Sequence, residues 1–227
     1  MKIPVADPVR ENITLGVNES NLFNEFKKGI YIGGENVNDF ENNLRNFLNV
    51  KYAVSLNSGT DALLLGFIAG GISRGDEILV PSFTYFATVE VLLNIGAVPV
   101  FVDINPNTFT MDLDDAKRKI SKKTKGIVPV HLFGNNSDIE VLKIFAKEYN
   151  LMVAEDSAQS FGSMTIEKKY LGTFGTFGAF SFFPSKTLGG IGDGGCLVTN
   201  SSKIFNTVSK LKNHGQSGVY NHEISGI

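Results

Sequence analysis

Short apolar runs alternate with helix-like segments along residues 52–156, and this rhythm constrains the fold more than any other feature of the chain. A strand that alternates apolar and polar residues keeps one face in water. A run that is apolar nearly throughout needs cover on both faces, as in a parallel sheet sandwiched by helices. Residues 52–56, 77–81, 99–103, 126–131 and 151–156 read as such strands. Residues 60–69, 86–95, 113–120 and 139–148 read as the intervening helices, with Ser73-Arg74-Gly75-Asp76 as a turn between units. After Asp156 the rhythm changes. Strands near residues 178–183 and 195–199 follow one another without an obvious helix between them, and a last helix covers about residues 203–212. The fold class expected is α/β: an open, mainly parallel central sheet with helices on both faces.

With 227 residues the chain can build one large domain with a substantial core. At 42% hydrophobic and 19% charged it is globular rather than disordered. A net charge of −2 gives no reason to expect nucleic acid or an anionic membrane as partner. The single cysteine, Cys196, excludes an internal disulfide and agrees with a reducing cytoplasm. The start, Met1-Lys2-Ile3-Pro4, lacks the apolar centre of a signal peptide. Apolar stretches such as residues 62–72 fall short of the roughly 20 residues that span a bilayer. A cytoplasmic protein is the expectation, with no metal site.

Ligands on open α/β sheets bind at the carboxyl ends of strands, so polar residues that follow apolar runs are the candidates for chemistry. Lys186 sits in Ser181-Phe182-Phe183-Pro184-Ser185-Lys186, before the glycine-rich run 187–195. Glycines there let backbone and a bulky ligand approach closely around one amine, and a partly desolvated lysine can form a Schiff base with a carbonyl. Ser58-Gly59-Thr60 follows the first strand and opens a helix, where free N–H groups and the positive dipole end suit a phosphate; Ser181 could add a hydroxyl. Asp156 ends an apolar strand, with Gln159 three residues on, and a carboxylate there needs a cation or good hydrogen bonds. Tyr85, in the segment 81–88, could stack on an aromatic ring.

Each of these also has an ordinary reading. Lys186 suits a surface turn, Ser58 and Asp156 suit helix N-caps, and core packing must account for at least one of Phe83, Tyr85 and Phe86. Together they fit one cofactor, pyridoxal 5′-phosphate, which needs a Schiff-base lysine, a phosphate cradle and an acid at its ring nitrogen. One motif is a decoy. Gly190-Ile191-Gly192-Asp193-Gly194-Gly195 matches the dinucleotide fingerprint, but a strand-like segment follows it where a helix is required.

These residues resemble the DegT/DnrJ/EryC1/StrS family of sugar aminotransferases, which are fold-type I pyridoxal-phosphate enzymes. The resemblance runs from about Asn38 to the end. It is carried by Asn57-Ser58-Gly59-Thr60-Asp61-Ala62-Leu63, Val80-Pro81-Ser82-Phe83-Thr84-Tyr85, Glu155-Asp156-Ser157-Ala158-Gln159-Ser160, the segment 181–186 and Gly192-Asp193-Gly194-Gly195. It implies a three-layer large domain. It also implies that Lys186 holds the cofactor covalently and shuttles the substrate proton, that Asp156 pairs with the ring nitrogen and that Gln159 bonds the ring hydroxyl. Tyr85 would stack on the ring, while Ser58, Gly59, Thr60 and Ser181 would hold the phosphate. Family members that act as sugar dehydratases carry histidine in place of the lysine, so Lys186 argues for transamination.

The subgroup most similar, from the 181–186 run and the segment 214–222, aminates nucleotide-linked 3-oxo sugars such as UDP-2-acetamido-2-deoxy-3-oxo-glucuronate, so a UDP- or dTDP-linked 3-oxo sugar is the acceptor implied. L-glutamate is the donor and polysaccharide or glycan biosynthesis the setting. The resemblance further implies a homodimer, an N-terminal arm and helix over residues 1–30, and a cofactor domain over residues 31–227. In the family an asparagine that reaches the partner subunit's phosphate, and then a C-terminal small domain, follow the position of Ile227. The competing readings are a cofactor-binding fragment with a regulatory role or none, and a sugar dehydratase. His214 is either a site residue or a structural histidine after the last helix.

Overall fold

A computed structural model describes residues 7–16, 19–135 and 139–227. In chain order these form α1 (Pro8–Thr14), α2 (Glu19–Lys28), α3 (Glu35–Leu48), β1 (Tyr52–Leu56), α4 (Gly59–Ala69) and β2 (Glu77–Pro81). There follow α5 (Ala87–Asn94), β3 (Val98–Val102), α6 (Leu113–Lys119), β4 (Thr124–Ile127), α7 (Ile139–Glu148) and β5 (Met152–Asp156). The last elements are β6 (Phe177–Ser181), β7 (Gly195–Thr199), α8 (Ser202–Leu211) and a small hairpin of β8 (Gln216–Gly218) and β9 (Asn221–His222). The N-terminal arm expected over residues 1–30 is described only in part, since residues 1–6 and 17–18 lie outside the described residues.

One sheet carries the fold, in the strand order β1-β7-β6-β5-β4-β2-β3. The pairs from β6 to β3 are all parallel, and β7 runs antiparallel between β1 and β6. The missing helix between β6 and β7 explains that reversal, because a parallel return needs a crossover of a dozen residues or more. Alternate residues of each strand feed opposite faces. Ile78 and Val80 pack with Leu63, Phe67, Leu92 and Val208 under α4, α5 and α8, whereas Leu79 packs with Ile139, Leu142 and Phe145 under α7. Ala53, Phe180, Cys196 and Val198 meet Leu44 and Leu48 of α3 on that second face. This is the three-layer α/β arrangement expected from the apolar runs.

One expectation shifts, and one helix was not expected. The run 126–131 is not one strand: β4 ends at Ile127, and Val130 makes only an isolated bridge to Asp156. Pro129 lies between them and has no N–H to give to a ladder. Helix α3 carries no strong sequence signal because five of its residues are asparagine, a poor helix former; its inward stripe of Phe40, Leu44 and Leu48 stabilises it through packing on β1 and β7. Cys196 is wholly buried in that face, and the loss of hydration pushes its thiol pKa up to about 12. Among the described residues no helix is long and apolar enough to cross a membrane.

Candidate active site

A cavity of about 550 Å³ opens at the carboxyl ends of β1, β2, β5 and β6, where an α/β sheet places its ligands. Ser58, Gly59, Thr60, Tyr85, Asp156, Gln159, Ser181 and Lys186, the residues expected from the sequence, all line it.

The turn from β1 into α4 forms one end. Ser58 is an N-cap: its Oγ accepts the Asp61 N–H at 3.0 Å and its carbonyl accepts the Ala62 N–H at 3.1 Å. The capping reading and the site reading are thus both true of this residue. The capping bonds leave the Gly59 and Thr60 N–H groups without a partner among the described residues, at the positive end of an 11-residue helix. Close backbone contact sets the turn in place. A Cβ added at Gly195 would lie 2.1 Å from the Ser58 carbonyl carbon, and one at Gly59 would lie 2.9 Å from Ser181 Cβ. The close approach that Gly195 permits is therefore to the chain's own turn, which brings Ser181 against Gly59.

Asp156 forms the floor. It is only 6% exposed, and no helix follows it, so the N-cap reading fails. Its Oδ1 accepts the Ala158 N–H at 3.1 Å in an Asx-type turn, and its Oδ2 accepts the Thr88 hydroxyl at 2.7 Å. Each oxygen keeps lone-pair capacity toward the cavity. Gln159 Oε1 accepts the Phe133 N–H at 2.9 Å, which leaves the amide NH₂ free to donate to a ligand.

Lys186 is half-buried, at the end of a turn closed by its own N–H to the Phe183 carbonyl at 2.8 Å. Its Nζ lines the cavity and has no hydrogen-bond or ion-pair partner among the described residues. Tyr85 stands at the rim and is 73% exposed. The expectation that Phe83, Tyr85 or Phe86 supplies core packing is corrected: none of the three is buried. They belong to the turn after β2, and the inward positions of that connection are taken by Ala87, Thr88 and Val89. His214 lies outside the cavity, exposed, and its carbonyl accepts the His222 Nδ1–H at 2.8 Å, a turn-forming role.

The sequence reading overlooked the buried polar layer behind the floor. Glu155 and His131 are fully buried and joined at 2.8 Å, and Thr88 reaches Asp156 from α5. No local pattern marks these contacts, since they join residues 24 and 68 positions apart. A phosphorylated pyridine aldehyde fits the site: two free N–H groups and a hydroxyl at one end, a carboxylate below and an unpaired amine beside it.

Residues 15–227 match the model of the DegT/DnrJ/EryC1/StrS aminotransferase family. The chain is 39% identical over 201 residues to the UDP-2-acetamido-2-deoxy-3-oxo-D-glucuronate aminotransferase of Pseudomonas aeruginosa, covering 88% of this chain and 56% of that protein. It is 37% identical over 230 residues to a UDP-N-acetyl-3-dehydro-alpha-D-glucosamine 3-aminotransferase of Acidithiobacillus ferrooxidans, covering 99% of this chain and 61% of the relative. Among solved structures, S. venezuelae DesV in complex with a ketimine intermediate superposes with a TM-score of 0.94 at 32% identity, over 99% of this chain and 61% of that one. The chain thus spans less than two thirds of the length of these relatives.

Proposed function

Since the chain belongs to the DegT/DnrJ/EryC1/StrS aminotransferase family, we propose that it is the cofactor-binding part of a pyridoxal-phosphate-dependent transaminase. In this reading it moves an amino group from L-glutamate to a nucleotide-linked 3-oxo sugar, for polysaccharide or glycan biosynthesis. The single observation that carries the proposal is the convergence of an unpaired lysine amine, a floor carboxylate and a free helix N-terminus on one cavity. The sugar class rests on what the relatives from Pseudomonas aeruginosa and Acidithiobacillus ferrooxidans are named for.

When bound, pyridoxal phosphate supplies an electron sink for the carbon that bears the reacting amine. The chain's residues do the rest. The Gly59 and Thr60 N–H groups and the Ser181 hydroxyl bind the phosphate at the α4 dipole. Asp156 would pair with the ring nitrogen and favour its protonated form. Gln159 donates its NH₂ to the ring oxygen, and Tyr85 covers one ring face against water. Lys186 Nζ would hold the cofactor at its aldehyde end and would serve as the general acid and base that moves the proton at the substrate carbon. A homodimer belongs to the same reading. Exposed Phe23, Phe26, Tyr31 and Ile32 supply apolar surface for it, and sedimentation tests it.

The test is an absorbance spectrum of the purified protein with pyridoxal phosphate, before and after L-glutamate. A lysine-linked band that forms, converts on adding glutamate and is absent from Lys186→Ala supports the proposal. A band that forms and ignores glutamate leaves a cofactor-binding fragment. An unchanged band in Lys186→Ala overturns the assignment of the lysine. A sugar product that loses its hydroxyl rather than gaining an amine points to a dehydratase.

A further inference from the structure

Behind Asp156 lies a chain of two hydroxyls that the proposed chemistry does not use. Thr88, on the first turn of α5, is fully buried, and its Oγ1 donates to Asp156 Oδ2 at 2.7 Å. Thr84 Oγ1, four residues earlier and lining the cavity, lies 2.9 Å from Thr88 Oγ1. A carboxylate accepts hydrogen bonds and gives none, so the one Thr88 proton is committed to Asp156. The proton between the two threonines therefore comes from Thr84. Both bonds point the same way, from Thr84 to Thr88 to Asp156, and each polarises the next.

The other oxygen of Asp156 is held by the Ala158 N–H at 3.1 Å. Two separate elements, α5 and the turn after β5, thus pin the two oxygens and fix the plane of the carboxylate. Valine has nearly the shape of threonine, so Thr88→Val would leave the packing in place and take from Asp156 Oδ2 its one donor among the described residues.

We infer that Thr88, backed by Thr84, is a positioning residue that keeps Asp156 oriented and ionised, so that the proton shared with a bound pyridine stays on the ring nitrogen. This rests on the pyridoxal-phosphate reading given above. One proton is shared between the acid and the ring, either as carboxylate and pyridinium or as carboxylic acid and neutral pyridine. Hydrogen bonds donated to the carboxylate favour the first arrangement. Removing the Thr88 hydroxyl takes away one of them and moves the proton toward oxygen.

The experiment is ¹⁵N NMR of the full chain loaded with pyridoxal phosphate labelled at the ring nitrogen. In Thr88→Val the ring resonance is expected to move from the pyridinium position toward that of neutral pyridine. Thr88→Ser, which keeps the donor, should restore the wild-type position, and Thr84→Val should give a smaller move in the same direction. A loaded Thr88→Val protein with the wild-type resonance overturns the inference, as does a serine variant that moves as far as the valine one. Should Thr88→Val fail to fold or to load, the half-buried Thr84→Val decides, and an unmoved resonance there overturns it. Failure of the wild-type protein to bind the cofactor at all would instead remove the function reading on which the inference stands.

Discussion

Glu155 and Asp156 are neighbours on β5, yet they face opposite sides of the sheet and differ in how far their valences are filled. On the side covered by α3, α6 and α7, Glu155 is sealed from solvent and accepts four hydrogen bonds. Its Oε2 takes the Gly172 N–H and His131 Nε2, both at 2.8 Å, and its Oε1 takes the Phe174 and Gly175 N–H groups, both at 2.6 Å. Every donor is fixed by the fold, and nothing is left over for a ligand. Beside three backbone N–H donors, Glu155 accepts the hydrogen bond from His131 Nε2–H, which fixes the orientation of that ring. Asp156, on the side covered by α4 and α5, accepts only from Thr88 and Ala158 and turns the rest of its capacity to the cavity. A saturated acid braces the loop at residues 172–175, and an unsaturated one keeps acceptor capacity toward the cavity. The comparison teaches that hydrogen-bond capacity left open, rather than burial or charge alone, separates a site acid from a structural acid.

The sharpest way to break that comparison is to truncate the saturated acid. Glu155→Ala strands His131 and three N–H groups in the interior and should cost about 3–5 kcal/mol of stability by denaturant unfolding. A variant that unfolded like wild type but bound no cofactor would place Glu155 in the site and undo the contrast. Asp156→Ala is the mirror experiment. It should lower glutamate half-reaction rates by about 10²–10³-fold, roughly 2.7–4 kcal/mol, with a far smaller change in unfolding midpoint. Equal losses of stability in the two variants would erase the distinction.

The smallest effect comes from Cys196, on the same sealed side as Glu155. Burial raises its thiol pKa from an ordinary 9.0 to about 12. Between those values the unfolded chain loses a proton that the folded chain keeps, so stability falls as pH rises through about 9. The slope reaches at most about 1.4 kcal/mol per pH unit from this group. Cys196→Ala should remove that slope, and the native thiol should resist alkylating reagents until the chain unfolds. Alkylation of the native protein at neutral pH would show that this side of the sheet opens.

Much of the fold could be read in the chain because the apolar runs carry their own explanation. Residues 52–56, 77–81 and 195–199 become strands with those bounds, and Ile139–Glu148 becomes a helix with the bounds its periodicity gave. The run 126–131 failed where a local feature competed with the pattern, since Pro129 withholds an N–H from β4, and α3 went unread because its asparagines weaken the helix signal. The aromatic turn at Phe83–Phe86 failed for another reason. Hydrophobicity says that a residue can be buried, whereas its place on a turn at the sheet's edge decides that it is not.

The sequence by itself determined the sheet, its two helical layers and the candidate residues, since strand ends, a helix-opening Ser58-Gly59-Thr60 and a lysine in a glycine-rich setting are local features. Tertiary structure alone decided which of those groups meet and which are already spoken for. Gly195 presses on Ser58, Thr88 reaches Asp156 across 68 residues, and Glu155 fills its valences from a distant loop while Asp156 does not. The physical reason is that a hydrogen bond depends on distance and direction, which folding sets between residues far apart in the chain, whereas propensity and periodicity act over a few residues at a time.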